Sequence, residues 1–142
     1  MKIVEQPDIF LREPTSEVKL PLSPQDQDIL NAMIDTMYLN KGIGLAANQV
    51  GYARRMFVMD TSTDRNSPKF FINPVIKKRA KEKLTEEEGC LSCPNKFANV
   101  RRPMYVGLKW VCRHGKEQYK TFYHLPARVV QHEMDHLEGK LC

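Results

Sequence analysis

The segment His132-Glu133-Met134-Asp135-His136 constrains the fold and function of this chain more than any other segment. Its side chains can act together only if the segment is helical. On an α-helix, side chains at positions i and i+4 lie on one face, with Cβ atoms about 5–6 Å apart. Both imidazoles can therefore bind one metal ion. The carboxylate of Glu133 projects beside that ion, where a general base for an attacking water must stand. Because Val129, Val130 and Leu137 flank the motif with apolar side chains, the pattern predicts a metal-dependent hydrolase built on a packed helix.

A catalytic site of the zinc type usually has three protein ligands and one open position. The candidates for the third ligand are Cys90, Cys93, His114 and His124. Gly89 precedes Cys90 and would let the backbone approach a metal closely. The alternative is a closed structural zinc site that uses both cysteines of Cys90-x-x-Cys93 and both helix histidines. Its two pairs stand much farther apart than those of a zinc finger, and it leaves Glu133 without a role, so we favour the open site.

Length and composition predict one domain over residues 1–142. Of these 142 residues, 42% are apolar and 27% are charged, which is typical of a globular protein. No apolar run approaches the roughly 18 residues that cross a bilayer, and the N-terminus does not resemble a secretory signal. We therefore expect the protein in the compartment where it is made, with its four cysteines reduced. These cysteines are Cys90, Cys93, Cys112 and Cys142.

The formal net charge is +5, which is compatible with an acidic partner such as RNA or a ribosome surface. The densest basic run, residues 77–83, is followed by the acidic residues 86–88. A solvated strand and turn is therefore the better expectation for this run than a binding site.

Hydrophobic periodicity outlines an α+β fold. Ser23 can cap a helix that begins at Pro24, and apolar residues recur at helical spacing until Gly42 ends it. Residues 42–51 are expected to form a loop. The expected strands are residues 56–60, 70–77, 104–113 and 118–123, the last two forming a hairpin. A second helix, from Pro126 to Gly139, carries the metal motif, and strands grouped before a final helix favour a helix buried against antiparallel sheet.

Three blocks, taken in order, resemble the peptide deformylase family. The first, Gly42-Ile43-Gly44-Leu45-Ala46-Ala47-Asn48-Gln49, is similar to the family motif Gly-x-Gly-Leu-Ala-Ala-x-Gln. The second is Glu88-Gly89-Cys90-Leu91-Ser92, and the third extends from Gln131 to Gly139. One short motif is weak evidence, whereas three in matching order and spacing are specific. A phosphate loop is the alternative for the first block, but such a loop follows a strand and precedes a helix, and here a helix precedes it.

The resemblance implies antiparallel sheets packed around a central metal-binding helix. It also implies removal of the formyl group from N-formylmethionine at the start of nascent polypeptides, with release of formate. The implied metal ligands are Cys90, His132 and His136, and the implied acid/base is Glu133. Family members typically use Fe²⁺, and Zn²⁺, Ni²⁺ or Co²⁺ can occupy the site.

The resemblance further implies the oxyanion and substrate contacts. The side-chain amide of Gln49 and the backbone N–H of Leu91 would bind the oxyanion. The substrate-binding residues expected from motif position are Ile43, Gly44, Glu88, Gly89, Arg128 and Val129. Arg128 stands where many family members carry an apolar residue, and an outward, snorkelling conformation is the alternative for it.

Two further expectations concern the helix and the end of the chain. Either Arg101 or Arg102 is expected to pair with Asp135 and hold the helix. The chain stops three residues after Gly139, which is similar to the short deformylases of some phages. A trimmed chain would look the same, so we assign no ribosome-binding element.

The expected partners are N-formylmethionyl nascent peptides, which the protein would bind near the ribosome. We expect a monomer that does not bind membranes. The expected location is the cytoplasm of a bacterium or of a phage-infected cell. Two competing functions remain open from the residues: a peptidase that uses the same helix, and a zinc-stabilised RNA-binding module without catalysis.

Overall fold

The described residues, 1–141, form two helices, a five-stranded sheet and a separate two-stranded hairpin in the computed structural model. The helices are α1 (Pro24–Leu39) and α2 (His124–Leu137). The strands are β1 (Gly44–Ala46), β2 (Met56–Met59), β3 (Lys69–Arg79), β4 (Lys83–Cys90), β5 (Cys93–Pro103), β6 (Tyr105–Val111) and β7 (Glu117–Tyr123). All paired strands are antiparallel, so the predicted α+β fold is confirmed.

Helix α1 begins where the sequence predicts. The Ser23 hydroxyl accepts a hydrogen bond from the Asp26 N–H at 3.1 Å, and a proline occupies the first turn. The apolar face of α1 packs in a core with β1 and β2 and contains Ile29, Leu30, Met33, Ile34 and Met37. The helix ends at Leu39, before the predicted Gly42, because the Asn40 side chain donates to the Thr36 carbonyl at 2.8 Å and caps it.

The larger sheet has the strand order β1-β2-β3-β6-β7. The four predicted strands correspond to β2, β3, β6 and β7, and the predicted hairpin is β6–β7, with Tyr105 opposite Tyr123. Val106 and Leu108 of β6 contribute to a core with α2 and the aromatic residues Phe57 and Phe71. The sheet therefore provides the surface on which α2 rests.

The predicted loop at residues 42–51 contains strand β1 and a 3₁₀ turn, Ala47–Val50. Leu45 pairs with Val58, and both side chains are fully buried. The segment is a strand because it pairs with β2 at the edge of the sheet. Its buried residues do not alternate with exposed ones, so the sequence pattern did not indicate a strand. Its course places Gly44 and Gln49 beside α2.

Helix α2 begins at His124, so Pro126 lies inside its first turn rather than at its start. Proline fits there because the first N–H groups of a helix have no intrahelical acceptor. The helix ends at Leu137, and Gly139 follows with a φ of 78°, a left-handed conformation that favours glycine. Val130 and Leu137 are fully buried in the core with the sheet, which confirms the predicted packed helix.

Strands β4 and β5 form a hairpin of their own, which the hydrophobic pattern did not predict. Gly89 of β4 lies opposite Phe97 of β5, and the strand β4 ends at Cys90. The hairpin therefore carries the second motif to the face of α2. Among residues 1–141, no helix is both long and apolar enough to cross a membrane.

Candidate active site

Helix α2 and the end of strand β4 bring three potential metal ligands together. The ligand atoms of Cys90, His132 and His136 all lie within 4.8 Å of one another. The Cys90 Sγ is 3.3 Å from His136 Nε2, and the Nε2 atoms of the two imidazoles are 3.1 Å apart. The i, i+4 spacing aligns the imidazoles on one helix face, while the hairpin supplies the thiol.

This donor set suits a divalent metal ion. One thiolate and two neutral imidazoles are ligands that zinc and other first-row transition metals accept. Next to them, Glu133 Oε1 is buried and has no hydrogen-bond partner among residues 1–141. A buried polar atom without a partner is costly, and a ligand at this site would satisfy it. The residues present therefore fit a metal ion.

The other candidates for the third ligand, Cys93, His114 and His124, lie outside the ligand group. Within the part of the chain that the structure describes, the closed site of two cysteines and two histidines is therefore not formed. Cys90 and Cys112 carry free thiols, as expected. Cys93 is disulfide-bonded, which corrects the expectation of reduced cysteines there, and Cys142 lies outside the described residues.

Glu88 orients one of the two imidazoles. Its Oε1 lies 3.1 Å from His132 Nδ1, which leaves the Nε2 atom for a metal. Arg102 donates to the Glu88 carboxylate at 2.6 and 2.9 Å and to Asp135 Oδ2 at 2.9 Å. Burial opposes ionisation of Glu88, but hydrogen bonds from the imidazole and two guanidinium groups hold its pKa well below its usual range. Of the two arginines considered, Arg102 is the partner of Asp135, whereas Arg101 is exposed.

Glu133 is buried, with its carboxylate directed at Gly44 of strand β1. A Cβ atom at Gly44 would lie 2.6 Å from Glu133 Oε2 and 2.8 Å from Val129 Cγ1, so any other residue there would displace one of these side chains. Burial raises the pKa of Glu133 to about 7. A carboxyl group with a pKa near neutrality can both accept and donate a proton during a reaction.

The side-chain amide of Gln49 is directed at the same group. Its Nε2 lies 3.5 Å from Cys90 Sγ and 3.1 Å from Ser92 Oγ. Its Oε1 accepts a hydrogen bond from the Ala46 N–H at 2.9 Å, which fixes which end of the amide faces the site. Leu91 lies in the turn between β4 and β5 and borders the same cavity.

A cavity of about 870 Å³ opens beside these residues. Pockets that bind small ligands have volumes of roughly 300–1,000 Å³. The cavity is bordered by all of the site residues predicted from the sequence except His136, namely Ile43, Gly44, Gln49, Glu88, Gly89, Cys90, Leu91, Arg128, Val129, His132 and Glu133. The fold therefore brings the three sequence blocks to one cavity.

Sequence reasoning missed two apolar side chains on the rim of the cavity. Phe97 and Leu125 border it and are 68% and 48% exposed. The Phe97 ring covers Gly89, where a Cβ atom would lie 2.8 Å from it. A single aromatic residue within a mostly polar strand is the signal that could have indicated Phe97.

Arg128 borders the cavity, but its predicted alternative conformation is wrong. The residue is 8% exposed and does not extend outward into solvent. Its Nη1 instead lies 2.6 Å from Glu88 Oε2. A buried carboxylate on the facing hairpin explains why a charged side chain is accommodated here.

Comparison with known proteins identifies the family. The family model for polypeptide deformylase matches residues 1–142. A peptide deformylase of Pelagibacter ubique is 40% identical over 141 residues, covering 98% of this chain and 81% of that protein. The crystal structure of a probable peptide deformylase from Synechococcus phage S-SSM7 has a TM-score of 0.93 and 36% identity, covering 99% of this chain and 96% of that one. The Met-Ala-Ser-bound crystal structure of a peptide deformylase from Acinetobacter baumannii has a TM-score of 0.92 and 29% identity, covering 99% of this chain and 94% of that one. The chain therefore belongs to the peptide deformylase family of enzymes.

Proposed function

We propose that this protein hydrolyses the formyl amide at the N-terminus of N-formylmethionyl peptides, with a divalent metal ion held by Cys90, His132 and His136. The observation that carries the proposal is that Cys90, His132, Glu133 and Gln49 border one cavity. His136 Nε2 lies 3.3 Å and Gln49 Nε2 3.5 Å from Cys90 Sγ. A non-catalytic zinc module would need neither a buried carboxylate nor an amide directed at its metal.

A metal ion at this site would lower the pKa of water and polarise the formyl carbonyl. One thiolate and two neutral imidazoles leave a divalent ion with a net charge of about +1. We propose Fe²⁺ as the ion in the cell, as is typical of the family. Zn²⁺, Ni²⁺ and Co²⁺ suit the same ligands, because all accept nitrogen and sulfur donors.

Glu133 moves the proton. Its carboxylate accepts a proton from the attacking water, whose oxygen forms a bond with the formyl carbon. The same carboxyl group then donates the proton to the leaving amine nitrogen as the C–N bond breaks. Formate leaves with the water oxygen, and the peptide leaves with a free amino terminus.

Gln49 and Leu91 stabilise the charge that develops on the formyl oxygen. The Gln49 amide is held in place by Ala46 and Ser92, and the Leu91 N–H comes from the turn beside Cys90. Donors fixed before the reaction cost no reorganisation when the charge appears. Removal of one such donor typically costs about 10²–10³ in rate.

The crowding at Gly44 supports selectivity for formyl over larger acyl groups. Glu133 and Val129 already fill the space where a Cβ atom would lie, and the formyl carbon carries only hydrogen. The methionine side chain is proposed to lie along the part of the cavity that Ile43, Val129 and Arg128 border. The Met-Ala-Ser peptide bound by the Acinetobacter baumannii relative supports a nascent N-terminus as the substrate. We place the reaction in the cytoplasm, where such chains emerge, and propose a monomer.

Formate release from formyl-Met-Ala-Ser tests this function. The protein is loaded with metal under oxygen-free conditions, because an iron–thiolate site can oxidise. We expect formate and Met-Ala-Ser in equal amounts, and no hydrolysis of acetyl-Met-Ala-Ser. Cleavage of an internal peptide bond would indicate a peptidase instead, and a correctly metallated protein that releases no formate would refute the proposal.

A further inference from the structure

The proposed metal site is divided between two parts of the fold. His132 and His136 belong to α2, which is packed on the large sheet, whereas Cys90 ends strand β4 of the separate hairpin. The distance of 3.3 Å between Cys90 Sγ and His136 Nε2 therefore depends on how the hairpin docks on the helix.

The two strands of the hairpin have few apolar contacts to hold them there, although Leu91 in the turn between them packs against the core of α1. Most residues of β4 and β5 are exposed, and Cys93 is the one fully buried residue of the two strands. Neither of the two apolar cores includes a residue of these strands. Besides the disulfide of Cys93, polar contacts with α2 are therefore what holds the strands against the helix.

Arg128 makes such contacts with both strands of the hairpin. On β4 its Nη2 donates to the Leu84 carbonyl at 2.8 Å, and its Nε lies 3.2 Å from Glu86 Oε2. Its Nη1 donates to Glu88 Oε2 at 2.6 Å and to the Val100 carbonyl of β5 at 2.9 Å. Only the planar, forked guanidinium offers donors in enough directions for this arrangement.

The positions of these partners follow from regular geometry. The Glu86 and Glu88 side chains lie on one face of the hairpin, because side chains two residues apart on a strand point the same way, and Glu86 pairs with Val100 across the hairpin. Arg128, His132 and His136 are spaced by four residues on α2, so they share the helix face that meets the hairpin. The same helix face thus holds both the hairpin and the two imidazoles.

We propose that Arg128 is a positioning residue, which docks the β4–β5 hairpin on α2 and thereby holds Cys90 at ligand distance from the two histidines. The inference rests on the proposed function only through the metal ligands, not through the substrate. Arg102 also donates two hydrogen bonds to Glu88, so Glu88 has a second partner that can hold it beside His132.

The test compares Arg128→Met with Arg101→Met in the metal-loaded protein. Both changes remove one positive charge near the hairpin, but Arg101 is exposed. The measurements are amide hydrogen exchange of residues 83–103 and of α1, and the rate of Co²⁺ loss to a chelator, followed by the cobalt–thiolate absorption band. Neither measurement needs a substrate, so failure of this inference is distinguishable from failure of the proposed reaction.

Arg128→Met should speed exchange in the hairpin and loss of Co²⁺ by roughly ten- to a hundredfold, the effect of losing hydrogen bonds from a charged group. Exchange in α1 should stay unchanged, and Arg101→Met should behave as wild type. Arg128→Lys keeps the positive charge but loses the forked guanidinium, so it should resemble Arg128→Met. It replaces Arg128→Met in the test if Arg128→Met does not fold. The proposal would be overturned if Arg128→Met or Arg128→Lys showed hairpin exchange and Co²⁺ loss at rates close to wild type. It would also be overturned if exchange rose equally in α1 and in the hairpin.

Discussion

The Glu88 Oε1 atom lies 3.1 Å from Nδ1 of His132, on the side of the imidazole away from the other ligands. A carboxylate in this position fixes the tautomer and increases the basicity of the ligand nitrogen. Glu88→Gln is therefore expected to weaken metal binding about ten- to a hundredfold, as such outer partners typically do.

Chelator competition measures this change in metal affinity. Glu87→Gln is the matched control, because the neighbouring side chain points to the opposite face of β4 and is exposed. Equal affinities in Glu88→Gln and Glu87→Gln would show that the carboxylate does not support the imidazole.

Gly44 gives a second prediction, since a Cβ atom there would lie 2.6 Å from Glu133 Oε2. Gly44→Ala should displace the Glu133 carboxylate and lower turnover by about 10²-fold or more, as expected when an acid/base is misplaced. Metal content should be retained, because no ligand is touched.

Gly42→Ala is the comparison for this variant. Its Cβ atom would lie 2.9 Å from Leu91 Cδ1, the end of a flexible side chain that can move. Its turnover should therefore fall less than that of Gly44→Ala. The reverse order of the two activities would contradict the placement of Glu133.

Asp60 gives a prediction about pH. Its carboxylate accepts hydrogen bonds from the Ser62 hydroxyl, from the Tyr38 hydroxyl at 2.5 Å and from the Ser62 N–H at 2.9 Å. Burial opposes ionisation, but these bonds outweigh it and lower the pKa of Asp60 from 3.8 to about 2. A depressed pKa in the folded state stabilises the fold fully above the unfolded pKa, and this contribution is lost as the pH falls from about 4 toward about 2.

Asp60→Asn should therefore lower the free energy of unfolding near neutral pH by about 1–3 kcal/mol. The difference from wild type should shrink as the solution is acidified through this range. Urea denaturation at a series of pH values measures it, with the exposed Asp35 of α1 replaced by Asn as the control. A difference that stays constant down to the lowest pH would disprove the role of the ionised carboxylate.

The helices and the placement of two histidines on one helix face could be predicted because local rules determine them. Ser23 and Pro24 mark the start of α1 by capping chemistry, and the spacing of His132 and His136 requires one helix face. The strands with one apolar face could be predicted because their apolar residues alternate with polar ones. Motif resemblance then supplied Cys90, which no periodicity could connect to a helix so distant in sequence.

The hairpin and the setting of Arg128 could not be predicted, because both depend on tertiary contacts. Strand β4 carries exposed and charged residues along most of its length, so it lacks the alternation that identifies a strand. A lone arginine in the motif helix suggests an outward side chain. Only the folded structure shows that Glu88 Oε2 lies 2.6 Å from Arg128 Nη1.

We propose that Glu133 transfers the proton beside a metal ion that it does not bind. The direct test is to measure metal content and formate release together for wild type, Glu133→Ala and the control Glu138→Gln, which removes a charge just beyond α2. Glu133→Ala should retain a full complement of metal and lose about 10²–10⁴-fold in turnover, while the control keeps both. Near-normal formate release by metal-loaded Glu133→Ala would contradict the account.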